Sequence, residues 1–132
     1  MRILVAEDDL ASRKYLYKFL SKYGEVDLVV DGLEALDAYL ISLKDNSAYD
    51  LICLDIMMPK VDGVKVLRAI RDYEKKIGIL PAQRVKVIMT TALAETDYVK
   101  NAFEIGCEAY AAKPIDTKKM EEVIDKLGFI KL

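Results

Sequence analysis

The chain has 132 residues, enough for one ordinary domain to bury a core without staples and too few for a second. Lys and Arg number 20 against 22 Asp and Glu, which excludes the overall basic field that draws in nucleic acid or an anionic membrane. There is no histidine, so the commonest general base and zinc ligand are missing and any chemistry must run on carboxylates, hydroxyls and lysines.

The elements follow in chain order. Ile3 to Ala6 is an apolar run that reads as a buried strand and leads straight into Glu7, Asp8 and Asp9. Leu16, Phe19, Leu20 and Tyr23 form a helical stripe that stops at Gly24, and Val26 to Val30 reads as a second buried strand. Asp31 with Glu34 makes a capping box ahead of a helix whose stripe is Leu33, Leu36, Leu40 and Leu43. Leu51 to Leu54 is the third strand, and Val64, Leu67 and Ile70 mark the third helix. The stretch from Tyr73 to Arg84 is too long for a typical helix-to-strand connection and reads as a lengthened helix and loop. Val85 to Met89 is the fourth strand, followed by a stripe of Val99, Ala102 and Phe103 that ends at Gly106. Ala109 to Ala112 is the fifth strand, and a last helix carries Met120, Val123, Ile124 and Leu127, capped by Asp116 and ended by Gly128.

Strict alternation of strands and helices, with strands apolar on both faces, predicts an α/β domain: a five-stranded parallel sheet with five helices over its two sides. Five units cannot close an eight-fold barrel, so the sheet is doubly wound. Cys53 and Cys107 are isolated and fit two reduced thiols rather than a disulfide framework. No apolar run approaches the ~18 residues of a membrane span and the N-terminus lacks a signal-peptide pattern, so a cytoplasmic protein without membrane contact is expected.

In open α/β sheets, ligands bind beyond the carboxyl ends of the strands. There the first strand delivers Glu7 and Asp8, the third Asp55, the fourth Thr91 and the fifth Lys113. Each alone reads as a turn, a cap or a surface lysine; together they share one phase relative to the apolar runs. At ~4 Å and an effective dielectric of ~20, each pair of like charges costs about 4 kcal/mol, so acids gathered here demand cations. Lys113 supplies one charge and a hard divalent ion held by oxygens the rest, which selects Mg²⁺. Such a pocket can neutralise a phosphoryl group in transfer, and without histidine or an activated serine the natural acceptor is a carboxylate, Asp55.

The segments AEDD, LDIMMPKVDG, MTTA and AAKP, in this order across essentially the whole chain, resemble the receiver domain of two-component response regulators. The resemblance implies a flavodoxin-like sheet with strand order 2-1-3-4-5 spanning residues 1–132 as a single domain. It implies that Asp55 is the phosphoacceptor, taking its phosphoryl group from a phosphohistidine of a histidine kinase or histidine phosphotransfer protein. Asp8 would ligate the metal directly, Glu7 through water, and the backbone carbonyl of Met57 would be the third protein ligand beside Asp55. Lys113 would pair with the acceptor and then with the phosphoryl group, Thr91 would follow that group, and Tyr110 would turn inward as Thr91 moves. The resemblance also implies a cis peptide before Pro114. Asp9 falls outside the acid pair and reads as a helix cap, while Pro59 and Gly63 suit the turn after Asp55.

The expected function is therefore a phosphorylation-dependent signalling switch, not an enzyme in the turnover sense. Phosphorylation makes Asp55 about one charge more negative and biases a bistable packing of Tyr110 and the fourth helix. Output would pass to a downstream protein through the helix 4, strand 5 and helix 5 face, with no direct nucleic-acid contact. Met57 and Leu93, two residues beyond the acceptor and the hydroxyl, are apolar and offer nothing to orient water, so slow self-dephosphorylation is expected. Three rivals rank lower: a Mg-dependent phosphatase needs an acid where Met57 stands, an FMN carrier would be repelled by EDD, and a docking module never phosphorylated would not need the acid pocket. No DNA-binding or enzymatic output domain fits after Lys131, which favours a stand-alone receiver, with a piece of a longer regulator as the alternative.

Overall fold

A computed structural model describes residues 1–92 and 97–132. Among these residues the elements are β1 (Arg2–Ala6), α1 (Leu10–Leu20), β2 (Glu25–Val29), α2 (Gly32–Lys44), β3 (Leu51–Asp55), α3 (Gly63–Lys76), a 3-10 turn (Pro81–Gln83), β4 (Lys86–Thr91), α4 (Asp97–Ile105), β5 (Ala109–Ala112) and α5 (Thr117–Lys126). All strand pairs are parallel and the order is β2-β1-β3-β4-β5, the doubly wound sheet expected.

Strand alternation divides the core into two layers. Leu4, Ala6, Ile52, Leu54, Val87 and Met89 face α2, α3 and α4. Ile3, Val5, Leu51, Cys53 and Ile88 face α1 and α5, against Leu16, Phe19, Leu20, Met120 and Ile124. β3 is buried at every position, as a central parallel strand must be. Both cysteines are buried thiols, and no described helix is long and apolar enough to cross a membrane.

The helix starts follow their caps. The carboxylates of Asp9, Asp31, Asp62 and Asp116 accept from the backbone N–H of Ser12, Glu34, Lys65 and Lys119, each three residues on. The box at Asp31 is displaced by one residue, since Glu34 accepts from the N–H of Val30 rather than of Asp31. The third helix does lengthen, to Lys76, before the 3-10 turn.

Three sequence expectations are corrected. The α2 stripe is leucine only in part: Leu36 and Leu43 pack partly buried against the core, but the buried face is Gly32, Ala35, Tyr39 and Ser42, and Leu33 and Leu40 are 48% and 40% exposed. Small residues let this helix approach its neighbours, and Gly32 shows the cause, because a Cβ there would collide with the carbonyl oxygen of Val61. β2 is not a buried strand but the sheet edge, paired only with β1 and exposed at Glu25, Asp27 and Leu28, and Val30 lies past its end. Phe103 of α4 is half-exposed and packs edge-on against Tyr110 instead of entering the core.

Charged residues also enter the interior on the far side from the acid cluster. Arg71 of α3 is buried and pairs with Glu74 at 2.7 Å and Glu108 at 2.8 Å, while donating to the carbonyl oxygens of Val85 and Gly106. Each guanidinium nitrogen of Arg71 has an acceptor, on Glu74 of the same helix or on Gly106, Val85 and Glu108 of other segments, which is what lets these charges leave water.

Candidate functional site

Each strand of the carboxyl edge hands on its polar residue through one more ladder hydrogen bond. The N–H of Glu7 donates to Val29, that of Ile56 to Thr90, and that of Lys113 to Thr91. The backbone on either side of Asp55 is fixed in the same way: Gly63 N–H donates to Ile56 at 2.7 Å, and a Cβ on Gly63 would strike the carbonyl oxygen of Asp55. That contact explains the glycine two residues past the turn formed by Pro59, Lys60 and Val61, in which Lys60 adopts φ 70° and Val61 N–H donates to Pro59. The Lys113–Pro114 peptide is cis.

The side chains converge. Lys113 Nζ lies 3.0 Å from Asp55 Oδ2 and 2.8 Å from both carboxylate oxygens of Glu7. Carboxylate oxygens of Glu7, Asp8 and Asp55 all lie within 4.8 Å of one another. Glu7 is 0% exposed and Asp55 4%, whereas Asp8 is exposed to solvent. Glu7 also accepts from the N–H of Asp9, and the Arg13 guanidinium donates to the carbonyl oxygens of Glu7 and Asp8.

Electrostatics follow from this placement. Burial pushes the Glu7 carboxyl up to about 6, with the Lys113 hydrogen bond pulling the other way and the Asp55 charge adding to the rise. Burial likewise raises Asp55, against the hydrogen bonds it accepts from Lys113 and from the N–H of Met57. Burial works to lower Lys113, but its hydrogen bonds to Glu7 and Asp55 outweigh it and the ammonium is held above its ordinary value. Three carboxylates against one ammonium leave the cluster two charges negative. Glu7 Oε2 is buried without an aligned hydrogen-bond donor although Nζ lies 2.8 Å away, so a lone pair is free on the oxygen. An oxygen-only donor set, negative and under-satisfied, fits a hard dication.

Of the residues singled out from the sequence, the structure brings together Glu7, Asp8, Asp55 and Lys113. Asp9 stands apart as the α1 cap. Met57 turns its side chain half into solvent while its N–H serves Asp55. Thr91 closes β4, fully buried, one residue past the register partner of Asp55, and by alternation on the opposite face of the sheet. Tyr110 shares that face, half-buried, with its ring centroid 5.9 Å from Phe103 and the planes at 85°. Leu93 lies outside the described residues.

Two residues near the site escaped sequence reasoning. Arg13 carried a weak signal, sitting one helical turn after the Asp9 cap. Thr90, the register partner of Asp55, is 1% exposed, and only the parity of β4 against β3 could have marked it.

Comparison with known proteins agrees with this geometry. The family described as response regulator receiver domain matches residues 3–125. A chemotaxis protein CheY from Treponema pallidum is 32% identical over 125 residues, covering 93% of this chain and 79% of the relative. The hybrid signal transduction histidine kinase L of Dictyostelium discoideum is 37% identical over 128 residues, covering 96% of this chain, which spans 7% of that kinase's length. Among solved structures, a CheX-CheY-BeF3-Mg complex from Borrelia burgdorferi superposes with a TM-score of 0.81 at 26% identity, over 96% of this chain and 88% of the other. With a family match across nearly all of its length and a CheY relative matched over most of both chains, this chain belongs to the response regulator receiver domain family.

Proposed function

We propose that the chain is a phosphorelay switch whose acceptor is Asp55, phosphorylated from a phosphohistidine of a histidine kinase or histidine phosphotransfer protein. The observation that carries this reading is a buried carboxylate at the sheet edge, held at 3.0 Å by Lys113 inside an acid cluster. Family membership and the likeness to a hybrid histidine kinase support the donor class.

Glu7, Asp8, Asp55 and the backbone carbonyl of Met57 would hold Mg²⁺. When bound, the ion supplies positive charge to the phosphoryl oxygens. The chain's own residues do the rest. Lys113 holds Asp55 Oδ2, so the carboxylate presents its other oxygen to phosphorus. A lone pair on that oxygen forms the new P–O bond as the P–N bond of the donor breaks. The imidazole leaves neutral, keeping the electron pair, its other ring nitrogen carrying the proton it already held.

The switch then works through charge. Asp55 becomes about one charge more negative, Thr91 and Lys113 gain a stronger partner, and Tyr110 with α4 repacks. The output surface is the α4, β5 and α5 face, where Tyr110, Ala112, Pro114, Lys119, Val123 and Lys126 line a groove of about 470 Å³ that suits a protein partner. Phosphoryl storage rather than substrate turnover fits Met57 at the position where a phosphatase needs an acid. On this reading residues 1–132 act as one cytoplasmic domain by protein contact, without binding nucleic acid.

The test is incubation with acetyl phosphate and Mg²⁺ followed by intact mass measurement. The expected result is one added phosphoryl group that is absent without Mg²⁺ and absent in Asp55→Asn. A parent protein that stays unmodified, or an Asp55→Asn variant that is modified equally, overturns the proposal.

A further inference from the structure

β4 ends in two adjacent threonines whose side chains alternate to opposite faces of the sheet. Thr90 shares its face with Ile88, which belongs to the core layer under α1 and α5. Its register partners are Asp55 on β3 and Ala111 on β5. Its hydroxyl is buried at 1% exposure and makes no hydrogen bond to any described group.

A buried hydroxyl without a partner costs about 1–3 kcal/mol, and valine would fill the same β-branched shape without that cost. Around Thr90 on its own face stand Cys53, Ile88, Ala109 and Ala111, which offer no strong acceptor. The acceptor directly across the ladder is Asp55, and Lys113 reaches it from beyond the end of β5.

We infer that Thr90 is a positioning residue for phosphoryl transfer: its hydroxyl, turned about Cα–Cβ, donates to Asp55 Oδ2 beside Lys113 and fixes the carboxylate plane. This rests on Asp55 being the acceptor. Oδ1 is then the free nucleophile. With acetyl phosphate, a lone pair on Oδ1 forms the P–O bond while the bond from phosphorus to the acetyl oxygen breaks. Its electron pair leaves on acetate, total charge is conserved and no proton moves. Oδ2 becomes the carbonyl oxygen of the acyl phosphate and still accepts from Thr90. A carboxylate free to turn out of line loses about ten-fold in rate, the equivalent of one ordinary hydrogen bond.

The experiment compares Thr90→Val and Thr90→Ser with the parent, using acetyl phosphate and Mg²⁺. Thr90→Val is expected to lower the saturating rate about ten-fold while the half-saturating donor concentration changes less than about two-fold. Thr90→Ser is expected to keep the rate within about two-fold of the parent. A Thr90 hydroxyl proton protected from exchange in the metal-free parent, seen by NMR, reports the hydrogen bond without any transfer. An unchanged saturating rate in Thr90→Val, a Thr90→Ser variant as slow as Thr90→Val, or a hydroxyl proton that exchanges freely overturns the inference. A protected hydroxyl in a parent that takes no phosphoryl group leaves the hydrogen bond standing and removes the acceptor role of Asp55, and with it the catalytic meaning of Thr90.

Discussion

Replacing Lys113 by Met keeps an apolar stem of similar length and removes the ammonium that contacts both Glu7 and Asp55. At an effective dielectric of ~20, contacts of 2.8 and 3.0 Å represent gross attractions of about 6 and 5.5 kcal/mol. Most of this is offset by the desolvation the ammonium no longer suffers, and breaking a buried pair typically costs a net 3–5 kcal/mol. The loss is capped, because Glu7 already has its carboxyl raised to about 6 by burial and takes up a proton when its counter-charge goes. The sign follows. A carboxylate whose folded pKa exceeds its unfolded value binds more protons when folded, so stability is lost as pH rises from the unfolded value through the folded one. In Lys113→Met that folded value climbs further, so the cost should be about 3 kcal/mol near pH ~8 and under about 1 kcal/mol near pH ~5. For 132 residues the larger figure corresponds to a fall in Tm of about 11 °C. Urea titrations of parent and variant at both pH values, with and without excess Mg²⁺, measure it, and Mg²⁺ should recover most of the loss near pH ~8. An equal loss at the two pH values, or no recovery with Mg²⁺, refutes the charge argument.

Mg²⁺ affinity should fall as pH drops through about 6, where Glu7 gains a proton and the cluster loses a negative charge; isothermal titration across this range checks it, and a flat profile removes Glu7 from the metal set. Met57→Asn with Leu93→Glu should shorten the lifetime of the phosphorylated protein about ten-fold or more by orienting water, read as decay of the phosphorylated mass; an unchanged lifetime means these positions do not control it. Leu33→Gln and Leu40→Gln should each alter stability by less than about 0.5 kcal/mol, whereas Ala35→Leu should cost about 1–3 kcal/mol. Chemical denaturation ranks the three, and a large loss at either leucine would restore the leucine stripe to the core.

The parallel sheet was legible because its strands are nearly all apolar. A run such as Leu51 to Leu54 can be stable only where both faces are covered, and five such runs separated by helices leave few arrangements. The site was legible for a related reason: the first polar residue after each buried strand has nowhere to go but the carboxyl edge. Less was readable where burial depends on what lies opposite. In α2 Leu33 and Leu40 outrank Ala35 and Ser42 in hydropathy, yet the contact distance set by Gly32 against Val61 favours the small face. The run from Val26 to Val30 is mostly apolar and reads as interior, yet β2 takes in Glu25 and Asp27 and lies at the edge, where no other described strand pairs beyond it. Arg71, Glu74 and Glu108 look like solvated charges one at a time, since the pair on α3 is buried only where Glu108, in the turn before β5, meets Arg71.

Strand parity also decides how a charge change at Asp55 would reach the opposite face of the sheet. Glu7, Asp55, Thr90 and Lys113 fall in phase with the layer under α1 and α5, while Thr91 and Tyr110 fall in phase with the layer under α4. A phosphoryl group on Asp55, as proposed, would therefore act on one side of the sheet while the proposed output lies on the other. The end of β4 is the place where the two sides meet, because Thr90 accepts through its carbonyl from Ile56 and Thr91 through its carbonyl from Lys113. These two bonds tie the residue after Asp55 and the lysine to consecutive residues of one strand. Couplings of 1–3 kcal/mol are typical of such switches, no more than one or two hydrogen bonds' worth. A shift in hydrogen bonding at the end of β4 is thus energetically sufficient to bias Tyr110 against Phe103, without any larger rearrangement of the core.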